Sequence, residues 1–97
     1  MKFIGFFEYC AEDADKVIEK FKQISAERQK GTERFAKMIF GPFNFSGETK
    51  GFGIVETDDP DKLSNIGIFY LPEVKCNFLP IEDSSKTIEL YLKMKKK

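Results

Sequence analysis

Residues 2–9, KFIGFFEY, set the strongest limit on the fold, because an extended segment this apolar needs cover on both sides. Successive side chains of a strand point to opposite faces. Phe3, Phe7 and Tyr9 therefore share one face and Ile4, Phe6 and Glu8 the other, and both faces are apolar at their centre. A second run, residues 33–40, repeats the pattern, with Phe35 and Ile39 opposed to Ala36, Met38 and Phe40. An antiparallel sheet with one wet face alternates apolar and polar residues cleanly. These two segments do not, so the sheet they build must be covered twice.

The remaining elements follow from periodicity and punctuation. Over residues 12–31, Ala14, Val17, Ile18, Phe21 and Ile24 fall at helical spacing and form one stripe. Glu12, Asp13 and Asp15 near its start, and Arg28 and Lys30 near its end, suit the helix dipole, and Gly31 is a stop signal. Gly41-Pro42 breaks or bulges the second strand, since proline has no N–H to give to a ladder. SGET, residues 46–49, turns a hairpin into a third strand over 50–57. A shorter helix is predicted over 59–71, with Leu63, Ile66 and Tyr70 along one side. A fourth strand over 73–81 sets Val74, Cys76 and Phe78 on one face. Residues 83–97 predict a terminal helix with Ile88, Tyr91 and Leu92 as its apolar side, ending in lysines.

The order β-α-β-β-α-β plus a last helix is that of the ferredoxin-like split βαβ motif. The expectation is one α+β domain over 1–97, a four-stranded antiparallel sheet with two helices on one face and residues 83–97 as a helical extension. The second face is then bare, and several phenylalanines on it exceed what a soluble monomer leaves in water. Either the terminal helix or a second copy must cover it, and a homodimer with sheets packed face to face is predicted.

Composition narrows the chemistry. Sixteen basic residues balance sixteen acidic ones, which gives no electrostatic reason to expect nucleic acid. Histidine is absent, which removes the commonest general base at neutral pH and the commonest ligand of zinc, copper or haem iron. Two cysteines, Cys10 and Cys76, are too few for a zinc site or a disulfide framework. No leader-like segment opens the chain and no apolar run is long enough to span a bilayer. A cytoplasmic protein with reduced thiols, no metal, no cofactor and no membrane partner is the expectation.

Two stretches, GFGIVETDDPDKL (51–63) and CNFLPI (76–81), resemble a family of unknown function within the dimeric α/β-barrel superfamily. The likeness runs over roughly residues 1–81 and departs in the lack of tryptophan and in residues 83–97. It implies two sheets meeting across a dimer axis around a central cavity. It implies no particular activity.

Candidate site residues concentrate where that resemblance is carried. In ETDDP, Asp58 or Asp59 fits a helix N-cap, Pro60 the first helical position and Asp61 the positive end of the dipole. A calcium loop needs ligands at alternate positions, a glycine and a distal glutamate, and this stretch lacks that spacing. Glu56 is left over: it shares a face with Phe52 and Ile54, and is read either as an acid–base group at the rim of an apolar surface or as the partner of Lys37 or Arg34. Tyr9, Lys37, Phe40 and Glu56 are the candidate ligand-binding residues, with Glu56 the best candidate for catalysis. Antiparallel pairing of the first and last strands predicts Glu8 beside Lys75 and brings Cys10 towards Cys76. Three functions fit: a small-molecule-binding homodimer, a cofactor-free oxygenase or isomerase, and a dimer whose surface is its whole role.

Overall fold

Four strands and three helices are laid out in the order the sequence predicts. The computed structural model describes residues 1–96. They form β1 (Lys2–Tyr9), a single 3-10 turn (Ala11–Asp13), α1 (Ala14–Gln29), β2 (Lys37–Asn44), β3 (Lys50–Glu56), α2 (Pro60–Tyr70), β4 (Val74–Ile81) and α3 (Ser84–Lys95). The strands make one antiparallel sheet in the order β2-β3-β1-β4. This is the strand arrangement of an α+β, ferredoxin-like fold, with both crossing helices on one side.

Local chemistry sets the helix ends. Gly31 takes φ 81°, a conformation that costs glycine little. That lets the Gly31 and Thr32 N–H groups close back on the carbonyls of Arg28 and Glu27, both at 3.1 Å, in a Schellman stop. At the start of α2, Asp59 Oδ1 accepts from the Asp61 N–H at 3.0 Å, with Pro60 at the first helical position. Caps of this kind are worth about 1 kcal/mol. Thr57 Oγ1 in turn accepts from the Asp59 N–H at 3.0 Å, while Asp58 accepts from the Met1 ammonium at 2.8 Å. Of the two aspartates the sequence offered as caps, Asp59 is therefore the one that serves.

Register divides the sheet into two faces. Phe3, Gly5, Phe7 and Tyr9 of β1 lie level with Val55, Gly53 and Gly51 of β3 and with Phe78, Cys76 and Val74 of β4. This side carries the core: Ile24 of α1, Ile66 of α2, Val55 of β3, and Phe35 and Ala36 from the segment before β2 are all buried together. Phe35 meets Phe69 edge-on, with ring centres 5.5 Å apart. Gly5 has to be glycine here, because a Cβ would stand 2.7 Å from the Phe78 ring that lies across it.

The second strand departs from its sequence reading. It begins at Lys37, not near residue 33, and runs through Gly41-Pro42 to Asn44. Phe35 and Ala36 are pinned outside the sheet instead: Arg28 Nε donates to the Ala36 carbonyl at 3.2 Å and Asn65 Nδ2 to the Arg34 carbonyl at 2.8 Å. Bulges between Met38 and Phe40 and between Phe40 and Phe43 reset the alternation. Met38 consequently points to the core face and Phe40 to the other, although a regular strand would put them together. An edge strand tolerates this, because the N–H that Pro42 lacks is not owed to a neighbour.

The other face is open. Phe40, Phe43, Phe52 and Phe6 run across its centre beside Ile54, Ile4 and Leu79. Phe40 is 51% exposed. At each end of this apolar field lies a row of charge: Lys37, Glu56 and Lys2 on one side, and Lys50, Glu8 and Lys75 on the other. The terminal helix gives no cover. None of its described residues is buried, and Met94 is 74% exposed. Its reach shows in the radius of gyration, 16.0 Å, against about 12.5 Å for a compact chain of this length. No helix among the described residues is long and apolar enough to cross a membrane.

Candidate functional site

The core face is not filled. Between the sheet and α1 lies an open-mouthed cavity of about 300 Å³. It arises because α1 stands off from the two central strands while α2 lies close on β4, and Gly5 and Gly53 form part of its floor. Val17 is buried on the helical side, whereas Ile18 and Phe21 of the same helix are left partly in water at the cavity's edge. Protein interiors seldom keep voids larger than a water molecule. A dry hole of this volume would cost about 7 kcal/mol, most of the stability of a small domain. Open to solvent, it holds water against largely apolar walls, and such water is favourably displaced by an apolar group.

Few polar groups reach it: Tyr9, Arg28, Asn44, Tyr70 and Cys76. Burial pushes the Tyr70 hydroxyl up to about 12, an effect the neighbouring Arg28 charge opposes, so Tyr70 keeps its proton at any physiological pH and can donate. Burial likewise pushes the Cys76 thiol up to about 11. A thiol that stays protonated is a small packing group and a poor nucleophile. Burial also lowers Arg28 from its ordinary value, but a guanidinium remains charged in proteins.

The sheet separates the residues that the sequence grouped. Tyr9 faces the cavity. Lys37, Phe40 and Glu56 lie on the opposite, open face, so the four do not meet in one site. Glu56 stands between Lys37 and Lys2, and Glu8 between Lys50 and Lys75, yet neither carboxylate makes an ion pair among the described residues. Arg34 is engaged elsewhere, by Glu27 at 2.6 Å. The two cysteines are free, and the register corrects their expected approach. Cys76 lies opposite Phe7. Cys10 is three residues further on, about 10 Å along the strand and beyond the roughly 7 Å reach of a disulfide.

Sequence reasoning missed Arg28 as a site residue, although its signal was present. Val17, Phe21, Ile24 and Arg28 follow one another at spacings of four, three and four, so the arginine continues the stripe whose Val17 and Ile24 are buried. Its place at a helix end also suits the dipole, which by itself points to no site.

One ion pair braces the cavity's far side. Lys20 Nζ donates to the Leu71 carbonyl at 2.7 Å and to the Glu73 carboxylate, tying α1 to the turn before β4. The bond from Lys20 holds the Glu73 carboxyl below its ordinary value, outweighing the desolvation that would raise it. Its contribution to stability is complete above the unfolded carboxyl's pKa, about 4.3, and is lost as pH falls through the lowered folded value. A carbon-detected titration should place Glu73 below an ordinary glutamate and return it towards that range in Lys20→Met. An unmoved Glu73 would remove the pair from this account.

No protein-family model matches the chain, and no curated protein does. Its function must be argued from its own geometry.

Proposed function

We propose that the protein is a homodimeric small-molecule-binding module of the dimeric α/β-barrel type, working in the cytoplasm, with a ligand in the helix-side cavity of each chain. The observation that carries the binding is the cavity: its 300 Å³ falls at the lower end of ligand pockets, which have largely apolar walls and a few placed polar groups. Binding is favoured over catalysis because its polar groups, two phenols, a protonated thiol, an amide and a guanidinium, supply donors and include no carboxylate or imidazole to act as general base.

The dimer rests on surface. The chain exposes 7154 Å², where a compact monomer of 11.2 kDa exposes about 5,700 Å². The excess, about 1,450 Å², is larger than the roughly 800 Å² that one partner gives to a standard interface. An apolar centre with charged margins is the anatomy of an interface. Glu8 and Glu56, without an ion pair among the described residues, are placed to meet lysines of a second copy and so to fix how the sheets align. The sequence resemblance implied a ligand between the two sheets. In this reading that space is the interface, and the ligand lies on the other side of each sheet.

Titration of the labelled protein with octan-1-ol tests the cavity. Amide shifts should move at Gly5, Val17, Tyr70 and Cys76, and Val17→Phe, which fills part of the space, should abolish them while keeping a folded spectrum. Shifts confined to the open face, or none, would contradict the cavity as a binding site.

A further inference from the structure

We propose that the cavity selects an anionic ligand, a largely apolar molecule ending in one carboxylate, with the Arg28 guanidinium as its charge partner. This rests on the cavity being a ligand site and adds the chemistry of the ligand's head. Arg28 occupies a position on α1 where the stripe of Val17, Phe21 and Ile24 calls for an aliphatic side chain. Its Nε–H is committed to the Ala36 carbonyl at 3.2 Å, which fixes the plane of the guanidinium. The four N–H groups on its two Nη atoms have no protein acceptor among the described residues. A planar pair of N–H donors is the shape that a carboxylate fits with two parallel bonds.

The surroundings favour that head group over others. Among the described residues no aspartate or glutamate lines the cavity, so its wall offers no carboxylate to neutralise the arginine or attract an ammonium. The Tyr70 hydroxyl shares the electrostatic neighbourhood of Arg28 and, keeping its proton, offers another donor. Away from this corner the wall is largely apolar, with Tyr9, Asn44 and Cys76 as its other polar groups. From Arg28 back to Val17 the helix rises about 16 Å, which accommodates a medium-length hydrocarbon chain lying along α1 with its end towards Ile18 and Phe21.

A matched series of octanoate, octan-1-ol and octylamine, titrated into the full-length labelled protein, separates the possibilities. Octanoate should bind about tenfold more tightly than the alcohol, as a charge-assisted hydrogen bond is worth, and the amine should bind most weakly. Arg28→Met should bring octanoate down to the level of the alcohol and leave the alcohol unchanged, while Arg28→Lys should retain part of the preference. Equal binding of octanoate and octanol to the wild type would overturn the carboxylate assignment and leave the cavity reading intact. Absence of cavity shifts with all three would overturn both. The wild-type comparison decides the matter even where Arg28→Met, having lost its bond to Ala36, does not fold.

Discussion

Phe35→Ala should lower the free energy of unfolding by about 3–5 kcal/mol, the usual cost of removing a buried aromatic ring. The residue is only 5% exposed although it sits outside the sheet, in the segment between α1 and β2. Its ring meets Phe69 of α2 edge-on, and the Arg34 guanidinium lies 4.8 Å from its centre. It packs in the same cluster as Ile24, Val55 and Ile66, so one side chain joins both helices to the sheet. A domain of this size has about 5–15 kcal/mol in all, and its partly unfilled core argues for the lower half. The substitution should therefore move the urea midpoint most of the way to zero denaturant at fixed protein concentration. Ile68→Ala, on the outer side of α2 and 67% exposed, should change stability by less than about 0.5 kcal/mol. A loss below about 1 kcal/mol at Phe35 would mean that the core is not where we place it.

Phe52→Glu should split the dimer without unfolding the chain. Phe52 lies at the middle of the open face, level with Phe6 and Phe43, with the Phe43 and Phe45 rings 5.9 Å and 6.0 Å away. In a sheet-to-sheet dimer it is central, where single residues dominate binding energy, and a carboxylate there would be buried without a partner. Losing at least 2 kcal/mol, as a central residue does, weakens association about 30-fold or more. Sedimentation should then show a wild-type dimer, a monomeric variant with unchanged circular dichroism, and no effect of Ile68→Glu. Truncation after Asp83 gives a second reading of the same surface. With none of its apolar side chains buried on its own chain, α3 is expected to lie against the partner, and its removal should weaken the dimer without destabilising the fold.

Much of this architecture was legible in the chain because it is written locally. The helix α1, the glycine stop at Gly31 and the proline start of α2 each reflect a few adjacent residues and are found where the sequence predicts them, although of the α1 stripe only Val17 and Ile24 are buried. The two-sided apolar character of β1 alone implies a second apolar face of the sheet. What was not legible depends on register. The bulges around Phe40 turn its ring away from Met38, and the three-residue offset between Cys10 and Cys76 follows from how β1 and β4 align. Nor does a sequence show that one helix stands off from the central strands and leaves space beneath it. For the same reason Tyr9 and Glu56, both plausible for a site, fall on opposite faces, while the helix-end position of Arg28 does not disclose the cavity beside it.

In the proposed assembly two copies meet through their open faces and leave the helix-side cavity to a ligand. Mixing isotope-labelled with unlabelled chains and recording only the contacts between them tests this directly. Ring-to-ring contacts are expected among Phe6, Phe40, Phe43 and Phe52 of different copies, and none from Val17 or Tyr70. A chain that stays monomeric, or intermolecular contacts that run through the helices, would contradict it.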